Sequence, residues 1–294
     1  MSVVTAPAPR PQAAAPEAGP SRLARLPVVR SALAAWTTLR RPGLLWGTLG
    51  ASAAVAGLLT TVIMTNVTDE PAVTRGPRPP GAGLTTSALE ASDGLTHAIG
   101  AASGVVGVIA LCVAAAAMAA LFSTGTLRNL IVRQPHRVRL LVGTHLAIVT
   151  LSLAAVAVAA VVSMALSAVL APGQGIDTSA WFTADAWGET AVALGQVALA
   201  AIGYATLGSA LGAMLRASVP AVAVSVAWLL PIENILTNTV DGLGRWMPGQ
   251  LLTAVASGGN ETASFGAALG TVSAYIAVAV AAALWLFARR DIRA

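Results

Sequence analysis

Lysine is absent from this 294-residue chain: all 17 of its cationic side chains are arginines. A nucleotide-binding P-loop needs a lysine behind its glycine-rich turn, so the chain cannot build one in the usual way. The Gly-rich stretch GAGLTTSA at Gly81 is therefore read as a linker. Charged residues make up only 10% of the sequence, against about a quarter in soluble chains. One cysteine, Cys112, excludes an internal disulfide and sits in an apolar run as a small core residue. Three scattered histidines (His97, His136, His145) and the absence of an HExxH sequence exclude the common metal signatures. Ser52 and Ser103 are candidates for an intramembrane serine nucleophile by composition alone. Covalent chemistry is therefore not expected, and neither a metal nor another cofactor is implied.

What the chain has is hydrophobic length. It is 56% hydrophobic, and its mean hydropathy is +0.77. Six apolar runs, at about 43–64, 99–122, 140–170, 191–215, 219–235 and 265–287, are long enough to approach or exceed a bilayer crossing. The run at 140–170 is longer than needed and is expected to tilt or protrude. The run at 219–235 is the shortest and carries Pro220 and Pro231 towards its two ends. The predicted fold class is all-α, a polytopic membrane protein of six transmembrane helices. Residues 1–20 are Ala- and Pro-rich without apolar periodicity and read as a disordered cytoplasmic tail. Residues 21–294 read as one transmembrane domain. Arg40-Arg41 before the first run mimics a twin-arginine signal, but the later runs argue for a resident membrane protein.

Charge sets the orientation. With both termini in the cytoplasm, 14 of the 17 arginines fall inside, and only Arg75, Arg78 and Arg245 outside. This obeys the positive-inside rule. The acidic residues lean the other way, all but Glu17 and Asp291 falling outside. The net charge of +5 lies beside apolar runs and forms no soluble basic patch, so no nucleic-acid partner is expected. Trp36, Trp46 and Trp285 are expected at the inner interface, and Trp181, Trp187 and Trp246 at the outer one.

Three further elements stand out. Residues 27–41 form an amphipathic helix, with Val29, Ala32, Leu33, Trp36 and Leu39 on one face. It either lies in the membrane interface or extends the first span. Glycines four apart (Gly43/Gly47, Gly100/Gly104, Gly208/Gly212, Gly266/Gly270) suit close helix packing. The segment 231–264, beginning PIENILTNTVDGLGRWMPG, mixes apolar and polar residues after a proline and can dip back into the outer leaflet. Glu233 is the one plausible buried carboxylate, near an outer end.

The longest basic insert between apolar runs is FSTGTLRNLIVRQPHRVR, residues 122–139, with four arginines and no acid. Thr126 can cap a short helix with Leu127, Leu130 and Ile131 on one face, stopped by Pro135. Two readings of it stay open. It docks a partner, or its arginines hold topology and anionic lipid.

The order of elements over residues 30–290 resembles an ABC-2 type transporter permease, the membrane subunit of a bacterial ABC exporter. The sharpest likeness is Gly125-Thr126-Leu127-Arg128 followed by Pro135 and Arg137. The resemblance implies a cytoplasmic coupling helix seated in a separate ATP-binding cassette ATPase. Thr126, Arg128, Asn129, Arg133 and Arg137 would be its ATPase-facing residues. It further implies a second permease subunit, the same or different, and a bacterial plasma-membrane location among membrane lipids. Departures from that pattern fall at Ala119, Ala120 and Leu121, at Thr144 and His145, and at Ala34, Ala35 and Thr38. Family members often carry acidic or lysine residues there. The chain itself is not expected to be an enzyme, since ATP hydrolysis would belong to the partner. Ser163, Ser167, Gln196, Tyr204 and Ser225 are candidates to line a translocation path. Several outer acids suit hydrophobic or cationic substrates. An ion-coupled transporter working alone and a non-transporting scaffold subunit are the alternatives.

Overall fold

The computed structural model describes residues 27–67, 85–123, 137–240 and 242–289. Among them no strand forms, and six helices are long and apolar enough to cross a membrane. The helices are α1 (Pro27–Leu39), α2 (Pro42–Thr65), the single turn α3 (Thr86–Leu89), α4 (Gly94–Ser123) and α5 (Arg137–Leu170). Then come α6 (Ala184–Leu215), α7 (Ser218–Ala227), α8 (Glu233–Thr239), α9 (Pro248–Ala256) and α10 (Phe265–Arg289). The spans are α2, α4, α5, α6, the α7–α8 unit and α10.

Each span boundary has a local cause. Pro42 opens α2, where its missing N–H costs nothing. At the other end the Asn66 amide donates to the Val62 carbonyl at 2.8 Å and closes the helix. Span four begins at Ala184, a full seven residues before the expected 191. Thr183 caps it by accepting the Ala186 N–H, and Asp185 in the first turn suits the positive helix end. Span two likewise begins at Gly94 rather than 99. Pro231 does not end the fifth span. The helix widens into a π turn over Trp228–Ile232 and continues as α8. A wider turn absorbs the hydrogen bond that proline cannot donate.

Helices α4 and α6 form the centre. Gly208 lies against the Leu111 carbonyl and Gly212 against the Ala115 carbonyl, so close that a β-carbon at either would overlap backbone. Such approaches replace side-chain packing by backbone contact, the way apolar helices associate without a hydrophobic drive. Gly43, Gly47, Gly266 and Gly270 have the same spacing and no neighbour within 4 Å. Helix α2 packs on α4 and α5, and the Thr60 and Ser163 hydroxyls join across it at 2.8 Å. Thr60→Val is expected to cost about 1 kcal/mol in a detergent unfolding assay, since it leaves Ser163 unpaired in the core.

The amphipathic α1 lies along the start of α5, although the sequence pattern suggests a free interfacial face. Its buried edge is Ser31 and Leu39, with Ala35 half-buried between them, while Leu33 is exposed. The Ser31 hydroxyl donates to the Arg139 carbonyl at 3.1 Å. The α5 backbone at Gly143 passes so near Ser31 that a β-carbon there would sit 2.5 Å from its hydroxyl. A small hydroxyl against a glycine lets the two helices touch.

Charge divides the bundle. Arg40, Arg41, Arg139, Arg216 and Arg289 gather at one end, where Arg216 stands 5.2 Å over the Phe122 ring and Phe122 meets Phe287 edge-on. Asp93, Asp177, Asp185 and Glu189 occupy the other end. Trp181 is at this acidic end but does not face an interface. It is fully buried among Ile63, Met64, Leu89 and Leu95, and its indole N–H donates to the Leu89 carbonyl at 2.7 Å. Trp46, Trp187, Trp246 and Trp285 are exposed, as an interfacial belt requires. Beside Trp181, the Ser179 N–H donates to Asp177 at 2.9 Å and holds that exposed carboxyl below the ordinary aspartate range. A lowered folded pKa means the bond contributes above the ordinary value and is lost as pH falls through the folded one. Asp177→Asn is therefore expected to remove an acid step in Trp181 fluorescence, with a small loss of stability at neutral pH, where the carboxylate bond contributes.

Candidate functional site

At the acidic end α4 and α6 part, and the second half of α9 completes a cavity of about 1260 Å³ between them. Asp185, Glu189 and Gln196, four and then seven residues apart, share one face of α6, while Asp93 and His97 face them from the start of α4. Thr253 closes the side towards α9. His97 Nε2 lies 3.4 Å from an Asp93 oxygen, one helical turn back. Three carboxyl groups and no arginine line the space, and its deeper wall is alanine and valine. A concave site with a polar mouth and an apolar wall can hold a small molecule. Its charge favours cations at the mouth.

Helix α9 lies beneath this cavity. It leaves a turn at Leu243–Trp246 and runs back along α6. Tyr204 donates its hydroxyl proton to the Gly249 carbonyl at 3.2 Å, and Gly258 at the other end lies against the Gln196 amide. Tyr204 is eleven residues from the end of α6 at Leu215, roughly 16 Å along the helix. That is about half the hydrocarbon thickness. The helix therefore starts near the middle of the bundle and rises towards the acidic end. It lies within 231–264, where the sequence allows for a re-entrant element.

Glu233 holds the start of α9. Both of its carboxyl oxygens accept the Gly249 N–H, at 3.1 and 3.0 Å, and one accepts the Gln250 N–H at 3.3 Å. Trp228 hydrogen-bonds it from five residues back, a spacing set by the π turn. Only 1% of Glu233 is exposed. A β-carbon on Gly249 would lie 2.5 Å from a Glu233 oxygen, so glycine is what lets the carboxyl reach the helix end. A negative group at a helix N-terminus meets unpaired N–H donors and the positive end of the dipole.

The path candidates scatter. Gln196 lines the cavity, and Tyr204 lies beneath it, 2% exposed. Ser163 is bonded to Thr60, and Ser225 to its own helix at Ala221. Ser167 is buried without a hydrogen-bond partner. None of these three serines lines the cavity. Thr126, Arg128, Asn129 and Arg133 lie outside the described residues, and Arg137 is described only as the first residue of α5. Asp93, His97 and Thr253 were not legible as site residues, because nothing in the chain shows which helices diverge. The stripe Asp185–Glu189–Gln196 was legible in spacing, had the helix been started at 184.

A second, apolar cleft of about 100 Å³ lies towards the arginine-bearing end beside His145. The Thr206 hydroxyl donates to the Ile202 carbonyl and lies 3.4 Å from His145 Nε2. His145 Nδ1 lies 3.1 Å from the Ser209 hydroxyl. His145 thus bridges α5 to α6. Among the described residues no group of three His, Cys, Asp or Glu side chains can hold a metal.

No curated protein matches the chain. Residues 86–293, most of the chain, match the family model described as "Protein of unknown function (DUF2705)", and on that match the chain belongs to this family.

Proposed function

We propose that this chain is the membrane subunit of an ATP-driven exporter of the ABC-2 type, with a separate ATP-binding subunit at its cytoplasmic face. The observation that carries the reading is a cavity open at the acidic end of a bundle that is closed, towards the arginine-bearing end, by the α4–α6 glycine contact. By the positive-inside rule the arginine-bearing end faces the cytoplasm. The basic loop joins the cytoplasmic ends of α4 and α5, and α1 is clamped to α5 just beyond it. A push on the loop would be passed to the third span and the interfacial helix together. The cavity is the exit side of the path, and its carboxyl groups suit a cationic or mixed apolar and cationic substrate. Packed helices with two arrangements, biased by the ATPase, would open the closed side.

Pairing with a second permease subunit has its own support. The α7–α8 span leaves most of its surface bare, including Asn234 and Asn238. Their amide N–H groups donate to the Leu230 and Asn234 carbonyls of the same helix, and a partner helix would cover the polar atoms that remain exposed.

The test is a pull-down of the tagged chain from native membrane. An ATP-binding subunit is expected to co-purify and to fall by roughly tenfold or more with Arg128→Glu plus Arg133→Glu, the effect of reversing charges in a docked ion-pair surface. Absence of any ATPase beside the unaltered chain sinks the reading. A second reading, ion-coupled transport by the chain alone, is favoured by the depth of Glu233. Transport by the purified chain in liposomes without an ATPase would support it.

A further inference from the structure

We infer that Glu233 is the latch of a gate: its carboxyl group holds α9 across the floor of the cavity, and releasing it joins the cavity to the middle of the bundle. In physiological meaning this rests on the transport reading above; in structure it stands on its own geometry.

Helix α9 is packed in the core along its length, and its polar tethers to other helices lie at its first turn. There the Glu233 oxygens take the Gly249 and Gln250 N–H groups, and Tyr204 takes the Gly249 carbonyl. These bonds join it to two different spans, α7–α8 and α6. The remaining contacts of that turn are apolar, with Leu251 and Leu252 buried against α6 and α10. Apolar contacts fix position weakly in angle, whereas a carboxyl group shared between two N–H donors fixes both place and direction. At the far end the chain turns on two glycines. Gly258 and Gly259 follow α9 with φ of 73° and 114°, in the region other residues avoid, and their N–H groups donate back to the Val255 and Ala254 carbonyls. Thr253 and Gly258 from this helix line the cavity, so moving α9 changes the cavity itself.

A half-helix with a polar latch at its deep end and a glycine pair at its shallow end can swing without unfolding. Removing the latch strands two N–H donors away from water, so α9 would leave its place for one where they are satisfied. Glu233 in this account is a positioning residue. It need not touch a substrate.

The test uses the full chain in membranes, with Cys112→Ala to remove the native thiol. Three single cysteines are compared, labelled from the acidic side by a membrane-impermeant trimethylammonium methanethiosulfonate. Ala193→Cys lines the cavity. Ala200→Cys lies about two turns deeper on α6, under α9 and 2% exposed. Ala114→Cys is buried at the α4–α6 contact away from α9. With Glu233 present, the cysteine of Ala193→Cys is expected to label and the other two to be protected. With Glu233→Gln, which keeps one acceptor oxygen but loses the charge and puts an NH2 group in place of the second, labelling of Ala200→Cys should rise roughly tenfold or more, the factor one charge-assisted hydrogen bond is worth. Ala193→Cys and Ala114→Cys should not change.

Protection of Ala200→Cys in the Glu233→Gln chain overturns the latch. Labelling of Ala114→Cys alongside it also overturns the latch, because it means general loosening. If Glu233→Gln does not reach the membrane, Glu233→Asp takes its place. It keeps the charge but withdraws the oxygens by one bond, and the same exposure of Ala200→Cys is expected; continued protection overturns the proposal. None of these outcomes depends on an ATPase. A failed pull-down with this labelling pattern removes the transport reading and leaves the gate. A successful pull-down without the pattern does the reverse.

Discussion

Gly208→Val is expected to leave little folded protein in the membrane. The β-carbon alone would overlap the Leu111 carbonyl oxygen and touch the Ala114 side chain at 3.0 Å. A backbone oxygen inside a helix cannot rotate away as a side chain can. The two helices must separate, and they are the most closely joined pair in the bundle. Overpacking a core costs about 1–3 kcal/mol where side chains give, and more where they cannot. A loss of at least about 3 kcal/mol is expected, a large part of a membrane domain's margin. Gly100→Ala is the matched control. Gly100 is on the same helix as Leu111 but has open space beside it. Alanine there should be neutral or raise stability by up to about 1 kcal/mol through helix propensity. Heating both variants in detergent and following the monodisperse fraction separates them. A Tm for Gly208→Val equal to that of Gly100→Ala would show that the α4–α6 contact is not a close one.

Trp181→Ala carries the second large effect. This residue sits in the turn before α6, yet its ring is fully buried between α2, α4 and α5. Emptying such a site costs about 3–5 kcal/mol. Trp181→Phe keeps most of the ring and strands the Leu89 carbonyl, for about 1–2 kcal/mol. The ratio tests the geometry, since the larger share should be packing. The variant also loosens the cavity. Trp181 ties the chain just before Asp93 to the chain just before Asp185. Ala193→Cys should then lose its uniform labelling rate at temperatures below the unfolding transition. If Trp181→Ala unfolds within a few degrees of the unaltered chain, the ring is not a core residue.

That tryptophan shows how much of the fold was legible. Its position between two spans places it at a boundary, and an aromatic at a boundary reads as an interfacial anchor. Trp46, Trp187, Trp246 and Trp285 are exposed in that way. Trp181 is not, because three helix ends happen to converge on it. Span boundaries failed in the same sense. Asp185 and Glu189 read as loop charges, since a charge facing lipid is costly. They stand within α6 because that face looks into a cavity and not into lipid. The run at 219–235 read as the shortest crossing, and the chain passes Pro231 with a π turn that also aligns Trp228 with Glu233. The glycine pairs were legible as a pattern and not as contacts. Only the Gly208/Gly212 pair meets a neighbouring backbone on both members.

The sequence by itself determined the six runs long and apolar enough to cross a membrane and the two unlike ends. Those follow from the transfer free energy of each run and from the side on which its flanking arginines fall, both of which are sums over neighbours in the chain. Only the tertiary structure decided what the polar residues do. Glu233 and Gly249 are sixteen residues apart, and the chain must reverse between them before a carboxyl group becomes a helix cap. Asp93 and Glu189 become one site only because α4 and α6 are pinned at their glycines and part above them. Hydrogen bonding and packing of that kind depend on where a residue's spatial neighbours come from, and local hydrophobicity carries no record of it.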